Sequence, residues 1–350
     1  LASGLRFAHL SDWHATTLER GGRGLLRPKR LSGWASWRLG RRHRHDPSIL
    51  EAAFEDVRRQ APDAILVTGD LTHVSLEQEF RDAARQLAAL GDPRRVFLIP
   101  GNHDCYVDVE ASRSWDYWAS YLRGVEPAEL DPALAEALAG EATAVESAAV
   151  DRAGDGSGAG VASSDRRAPR HADYPKLRIF GGVAVIALCS AIPTPIFRAG
   201  GRLGSTQLVR LEGLLERTRT LGLFRLLMVH HPITVSSEPA RRALWDAGAL
   251  REVLARQGAE LVLHGHTHRR RVGGVPGPQG TIPVIGVPSS SEVGSRPGKI
   301  AQYHLYTVSA RGVDEEGPDF RIETEIRGYD PAIGAFGPIH ESLLDAVSKS

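Results

Sequence analysis

Val96-Phe97-Leu98-Ile99-Pro100-Gly101-Asn102-His103-Asp104 is the stretch from which the fold is read. Four apolar residues run into a Pro-Gly pair and then into three polar side chains. The run is too short for a helix and is closed by turn residues, so it predicts a buried strand over Arg95–Ile99. Asn102, His103 and Asp104 then leave its carboxyl end. The same arrangement recurs outward in both directions. Leu5–Leu10 ends in Ser11-Asp12-Trp13-His14, and Ala64–Thr68 ends in Gly69-Asp70. Downstream, Arg225–Val229 ends in His230-His231-Pro232, and Glu260–His264 ends in Gly265-His266-Thr267-His268. Val183–Leu188 is a further strand. Helical spacing separates these runs: Pro47–Gln60 places Ile49, Leu50, Ala53, Phe54 and Val57 on one stripe, with Asp46-Pro47 as its start and Ala61-Pro62 as its stop. Leu76–Leu90, Thr206–Arg217 and Ala247–Arg256 read the same way, and β-like runs return at Ile282–Val287, Tyr303–Val308 and Phe320–Ile326. Strands alternating with helices predict a layered α/β fold, in which ligands bind outside the carboxyl ends of the strands.

Composition narrows the classes. The 350 residues contain 43 Lys+Arg against 42 Asp+Glu and are 42% hydrophobic, as in an ordinary globular protein with no global signal for nucleic acid. Two cysteines, Cys105 and Cys189, form neither a disulfide framework nor a CxxC site, and Cys105 is expected to be an inert buried thiol. No apolar run reaches ~18 residues, so no helix is expected to span a membrane. With no signal peptide in the chain as given, the expected location is cytoplasmic or peripheral at the inner membrane. Fourteen histidines stand out, several of them clustered at the strand ends.

Those ends deliver Asp12 and His14, then Asp70, then Asn102, His103 and Asp104, then His230, then His266 and His268. Oxygen and imidazole donors without sulfur suit hard or borderline divalent ions. In this order, the DxH, GD, GNHD, HxP and GHxH motifs resemble those of the calcineurin-like metallophosphoesterases, over Leu5 to about Val287. The resemblance implies a four-layer αββα sandwich with a dinuclear metal site at the strand ends, holding two divalent ions (Mn, Fe or Zn). Carried over motif by motif, Asp12, His14, Asp70 and His268 hold one ion, and Asp70, Asn102, His230 and His266 hold the other. His103 is the non-ligand acid near the leaving group, and Asp104 orients it. The implied reaction is phosphodiester hydrolysis by in-line attack of a bridging hydroxide. Two divalent ions less two carboxylates leave a charge matched by a diester anion plus one hydroxide.

Between the first and second motifs, Arg20 to Arg44 contains nine Lys/Arg and no acid, interleaved with Trp34, Trp37 and four leucines. The remainder of the chain is therefore net acidic. A solvated helical flap with some core-facing apolar residues and a phosphate or lipid-headgroup contact both fit this segment, with Arg38, Arg41 and Arg42 as substrate contacts and His73 near the mouth. Nucleic acid is the least favoured partner. Within the family, Gly69-Asp70-Leu71-Thr72 and the two-histidine motifs look like the bacterial cyclic-nucleotide phosphodiesterase branch. The basic insertion resembles the branch that cleaves UDP-2,3-diacylglucosamine at its diphosphate, at the membrane surface. A catalytically silent phospho-ligand binding protein is the reading from another class. The expected organisation is one catalytic domain over 1–328 with a basic insertion at 18–45, a helical and flexible insertion at 110–175, and a C-terminal tail at 329–350.

Overall fold

Two six-stranded sheets stack in the computed structural model, which describes residues 4–19, 22–125, 129, 132–139, 167–235, 238–294, 298–314, 317–341 and 343–344. The strands in chain order are β1 (Leu5–Leu10), β2 (Ala64–Val67), β3 (Val96–Leu98), β4 (Lys176–Phe180), β5 (Val183–Ala187), β6 (Phe224–Met228), β7 (Leu261–His264), β8 (Arg271–Gly277), β9 (Gly280–Gly286), β10 (Gln302–Asp314), β11 (Gly317–Asp330) and β12 (Ala335–Ile339). The first sheet has the order β12-β11-β10-β1-β2-β3, and the second β4-β5-β6-β7-β9-β8. β1, β2 and β3 run parallel, as do β5, β6, β7 and β9. Both parallel blocks therefore gather their carboxyl ends, and the polar tips that follow them, at a shared edge.

The layers follow from side-chain alternation. On β5, Val183, Val185 and Ala187 join the core shared with the first sheet, whereas Ala184 and Ile186 join a second core. That second core includes Leu211, Leu214 and Leu215 on one helix (Ser205–Thr220) and Leu250, Val253 and Leu254 on another (Ala247–Gln257). The helices Pro47–Gln60 and Glu77–Leu90 put their apolar stripes into the first core. The result is the expected α/β sandwich of two sheets between helices.

Three strands escape the sequence reading, each for a physical reason. β4 carries Arg178 on its buried face, where the guanidinium donates to the carbonyls of Pro93, Val96, Ser120 and Arg123 and lies 4.3 Å over the Phe97 ring. β8 and β12 contain Gly and Pro and read as loops; both are edge strands, where a missing donor is tolerated. β12 also changes the C-terminal boundary: β11 runs to Asp330 and pairs with Ala335–Ile339, so much of the expected tail belongs to the first sheet. The helix Pro28–Ser36 in the basic insertion is polar overall but anchored from beneath. Lys29 Nζ donates to the carbonyl and hydroxyl of Thr194, and Arg30 to the carbonyls of Gly24, Val74 and Ser75. Within the helical and flexible insertion expected at 110–175, the helix Pro132–Ala139 is observed, and 140–166 lies outside the described residues.

A buried ion pair ties helix Pro47–Gln60 to the first sheet. Asp56 accepts from Arg327 Nε and Nη2, both at 2.9 Å, and from Tyr303 Oη at 2.6 Å. Burial raises the Asp56 carboxyl, but the Arg327 and Tyr303 hydrogen bonds outweigh it and hold the group below its usual range. Asp56→Ala leaves Arg327 with Glu325 as its remaining carboxylate and its Nε and Nη2 donors unpaired, and is expected to lower unfolding free energy by ~1–3 kcal/mol in urea titration. A carboxyl depressed in the folded state contributes stability above its unfolded pKa of about 4 and loses it as pH falls through the folded value. The wild-type and Asp56→Ala stabilities should therefore converge in acid.

Candidate metal centre

The strand-end loops converge on two donor clusters that share one carboxylate. Asp12, His14, Asp70 and His268 form one, and Asp70, His230 and His266 the other, each with ligand atoms within 4.8 Å of one another. Asn102 Oδ1 completes the second, 3.0 Å from His230 Nε2 and 2.8 Å from His266 Nδ1. The seven expected ligands are thus brought together. Their backbones are unusual: of eight non-glycine residues with positive φ among those described, five are Asp12, His14, Asp70, His266 and His268. Such conformations cost ~1–3 kcal/mol each and persist where the surroundings impose them. Glycines make the close approach possible, since a Cβ at Gly101 would overlap Oδ1 of Asp70 and one at Gly265 would overlap Ser11 Oγ and Asp12 Oδ2.

Backbone carbonyls set the imidazoles. Nδ1 of His14 lies 2.6 Å from the Thr72 carbonyl, and Nδ1 of His230 lies 2.6 Å from that of Thr68. A carbonyl only accepts, so each Nδ1 carries a hydrogen and each Nε2 is the nitrogen left facing Asp70, at 3.8 and 3.4 Å. His231, the neighbouring candidate, is occupied elsewhere: Nδ1 meets Ser190 Oγ at 2.8 Å and Nε2 meets the Ala199 carbonyl at 3.1 Å. Burial, followed by the charges of neighbouring histidines, pushes His14 and His266 well below the usual imidazole range, into the neutral form that a metal requires. Burial raises Asp12, while for Asp70 His230 and His103 overcome burial and hold the carboxyl low. His230 is correspondingly raised to about 9 by Asp70, against burial. Two buried carboxylates facing imidazole nitrogens and an amide oxygen form a donor set that fits two divalent cations, whose binding would displace the His230 proton.

His103 stands beside this set. Its Nδ1 lies 2.6 Å from the His73 carbonyl, its ring stacks on Tyr106 at 5.5 Å, and its backbone N–H donates to Asp70 Oδ1 at 2.7 Å. The orienting role expected of Asp104 is therefore corrected: the His73 carbonyl holds the His103 ring. Asp104 Oδ1 accepts from the N–H groups of Leu71 and Thr72, and Oδ2 from those of Asp70 and Gly101. Burial and the Asp70 charge push its carboxyl up to about 7. Cys105 is pushed up to about 12 by burial, as suits an inert thiol.

The clusters lie in a cavity of about 620 Å³ lined by His73, as expected, and by His45, Tyr106, Phe197 and several arginines. Arg38 and Arg42 do not line it. Arg38 stacks over Trp34 and Arg42 pairs with Glu19 at 2.9 Å, which uses their charge away from the cavity; the Arg41 side chain lies outside the described residues. Arg44 takes the place expected of them.

Sequence reading also missed Glu292 and His45. Glu292 Oε2 is buried without a hydrogen bond and lies 3.5 Å from His268 Nδ1, on the side of the ring away from Asp12. A bridge between His45 and Glu292 brings them together; no local motif announces either. Glu292→Gln is expected to weaken Mn²⁺ affinity by ~10–100-fold in a metal titration, as for other carboxylates behind ligating histidines. Asp104→Ala should lower both thermal stability and bound metal, because it frees the loop that carries Asp70; retained metal at wild-type stability would contradict this.

The family model described as calcineurin-like phosphoesterase matches residues 5–145, which include DxH, GD and GNHD but not the two downstream histidine motifs. No curated protein matches the chain. Among solved structures, a purple acid phosphatase from yellow lupin (Lupinus luteus) seeds is 11% identical with a TM-score of 0.50, covering 97% of this chain and 53% of that one. This chain spans about half the length of the lupin enzyme, and the likeness shows the shared fold. A dimetal phosphatase from Danio rerio is 14% identical with a TM-score of 0.49, covering 93% of this chain and 96% of that one. Over residues 5–145 the chain is thus similar to the calcineurin-like phosphoesterases, and the two-sheet fold and the paired donor clusters accord with that similarity.

Proposed function

We propose that this chain hydrolyses a small phosphodiester or a nucleotide diphosphate at the Asp70-centred cluster. The observation that carries the reading is a pair of buried donor clusters sharing one carboxylate, at the wall of a cavity that is otherwise largely cationic. In this reading Asp12, His14, Asp70 and His268 hold one ion, and Asp70, Asn102, His230 and His266 the other. Two such ions would polarise the phosphoryl oxygens and lower the pKa of a water bound between them. A cyclic nucleotide is the smallest natural substrate of this kind.

The protein's own residues supply the remaining steps. Asp70 uses Oδ1 to accept the His103 N–H, so the shared carboxylate and the acid are held on one loop contact. In this reading His103 starts as the imidazolium, keeps Nδ1–H on the His73 carbonyl, and gives its Nε2 proton to the departing oxygen, ending as the neutral ring. Asn102 contributes a neutral oxygen, which preserves the positive charge that draws the anion.

With Mn²⁺, the purified chain is expected to hydrolyse bis-p-nitrophenyl phosphate. Asp70→Ala should reduce turnover by about a thousandfold or more, since several kcal/mol of charge stabilisation leave with the ions. His103→Ala should slow turnover by ~10²–10⁴-fold yet retain about two ions per chain by elemental analysis. Full activity in Asp70→Ala would sink the mechanism, and metal loss in His103→Ala would make His103 a ligand.

A lipid-linked nucleotide diphosphate is favoured by one separate observation. Leu26, Leu31 and Leu39 of the basic insertion are exposed, Leu39 at 87%, and Phe197 stands 85% exposed on the lining of the cavity. Exposed apolar side chains among arginines suit an anionic bilayer surface. The chain should then sediment with anionic vesicles, and Leu39→Asp with Phe197→Asp should abolish this; sedimentation unchanged in the double variant excludes the lipid reading.

A further inference from the structure

The cavity holds more positive charge than one phosphoester consumes. Apart from the donor clusters, its lining contains six arginines and a lysine against a single carboxylate, Glu238, which Arg242 engages at 3.5 Å. Among the described residues, no carboxylate lies within 4 Å of Arg198 or Arg241. Their charges are not neutralised within the protein, and both side chains are exposed to the cavity.

Arg198 and Arg241 also form one built surface. The Ala199 N–H donates to the Arg241 carbonyl at 2.9 Å and the Gly201 N–H to that of Ala243 at 3.1 Å, which joins their two loops. His231 braces this pair from beneath through Ser190 Oγ and the Ala199 carbonyl, and a Cβ at Gly201 would press into its ring. The residue after His230 thus fixes the distance between the metal cluster and the two arginines. A buried, doubly hydrogen-bonded histidine under a surface loop is a positioning device, and the groups it positions are cations facing an anion site.

We infer that Arg198 and Arg241 bind a second anionic group of the substrate, a phosphoryl group set apart from the ester that is cleaved. This rests on the phosphoester reading above and narrows it to substrates carrying at least two phosphoryl groups, so a cyclic nucleotide monophosphate is a poor ligand. Guanidinium pairs suit phosphate because their planar donors match its oxygens two at a time.

Calorimetric titration of the chain, with and without Mn²⁺, tests this with adenosine 3′,5′-bisphosphate and adenosine 5′-monophosphate. The bisphosphate is expected to bind about tenfold or more tightly, the scale of one further charge pair near a protein surface. The double variant Arg198→Gln with Arg241→Gln should reduce that ratio to within about twofold, whereas Arg94→Gln, a charge change remote from the cavity, should preserve it. Equal binding of the two nucleotides by wild type, or a preference that survives the double variant, overturns the inference. Its failure is separable from that of the reading it rests on. Hydrolysis of bis-p-nitrophenyl phosphate without a bisphosphate preference removes the arginine site alone; a preference without hydrolysis supports the site and removes the phosphoesterase reading.

Discussion

Between Asp70 and Leu76 the backbone has no strand or helix to pair with, yet it lies buried, and two buried carboxylates take up its N–H groups. Asp104 accepts those of Asp70, Leu71 and Thr72, and Glu79 those of His73, Val74 and Leu76. An unpaired buried N–H costs about as much as a lost hydrogen bond, so six of them would otherwise force the loop open. With its donors satisfied, the segment directs its carbonyls outward. Those of Thr72 and His73, with that of Thr68 just before the loop, orient His14, His103 and His230. One short stretch thereby carries the shared carboxylate and sets three imidazole rings. The donor set depends on this exchange of N–H for carboxylate more than on any single ligand.

The arrangement is stiff because several unfavourable choices are made together. Five residues of the donor clusters sit in the left-handed region, and Asp12 and Asp70 are buried beside each other. Glu79 is fully buried, which raises its carboxyl despite three backbone N–H groups and the Thr16 hydroxyl. Alone, each feature destabilises; together they leave a concentration of negative charge and lone pairs whose natural complement is a pair of cations. Strain stored at a site is tolerated when surrounding structure over-determines it, and here the two-sheet core does so.

What was legible in the sequence follows the same physics. Strand ends are local, so residues that leave them, such as Asn102-His103-Asp104, announce themselves within a few positions. Helix Pro47–Gln60 was equally visible, because its cap, stripe and stop are all local signals. The supporting contacts were not. Glu292 reaches His268 only because a bridge to His45 closes a long excursion of the chain, and no periodicity encodes that. Asp104 was visible as a site residue but not in its role, since four N–H partners from two loops become neighbours only after folding. Charge misled: Lys29 and Arg30 read as a solvated face but are buried against carbonyls, while Arg198 and Arg241, which no motif marks, face the cavity.

A net charge of +1 is therefore uninformative about what this protein attracts. The basic insertion divides its cations: Lys29 and Arg30 fasten the helix, Arg42 pairs with Glu19, and Arg44 turns toward the cavity. Arg44 sits on the same side as Lys299, because the Val293 N–H donates to the Arg44 carbonyl and Val293 bridges to Ile300. Arg198 and Arg241 come from two joined loops elsewhere in the lining. Cations thus enter the cavity from separate segments, and beside the donor clusters Glu238 is the one carboxylate among its lining residues. A concave site lined by one sign of charge focuses potential regardless of the molecular total and concentrates small anions near the donor cluster. Asp70, through its shared oxygens, and His231, beneath the loops of Arg198 and Arg241, are both anchored to the ends of parallel strands.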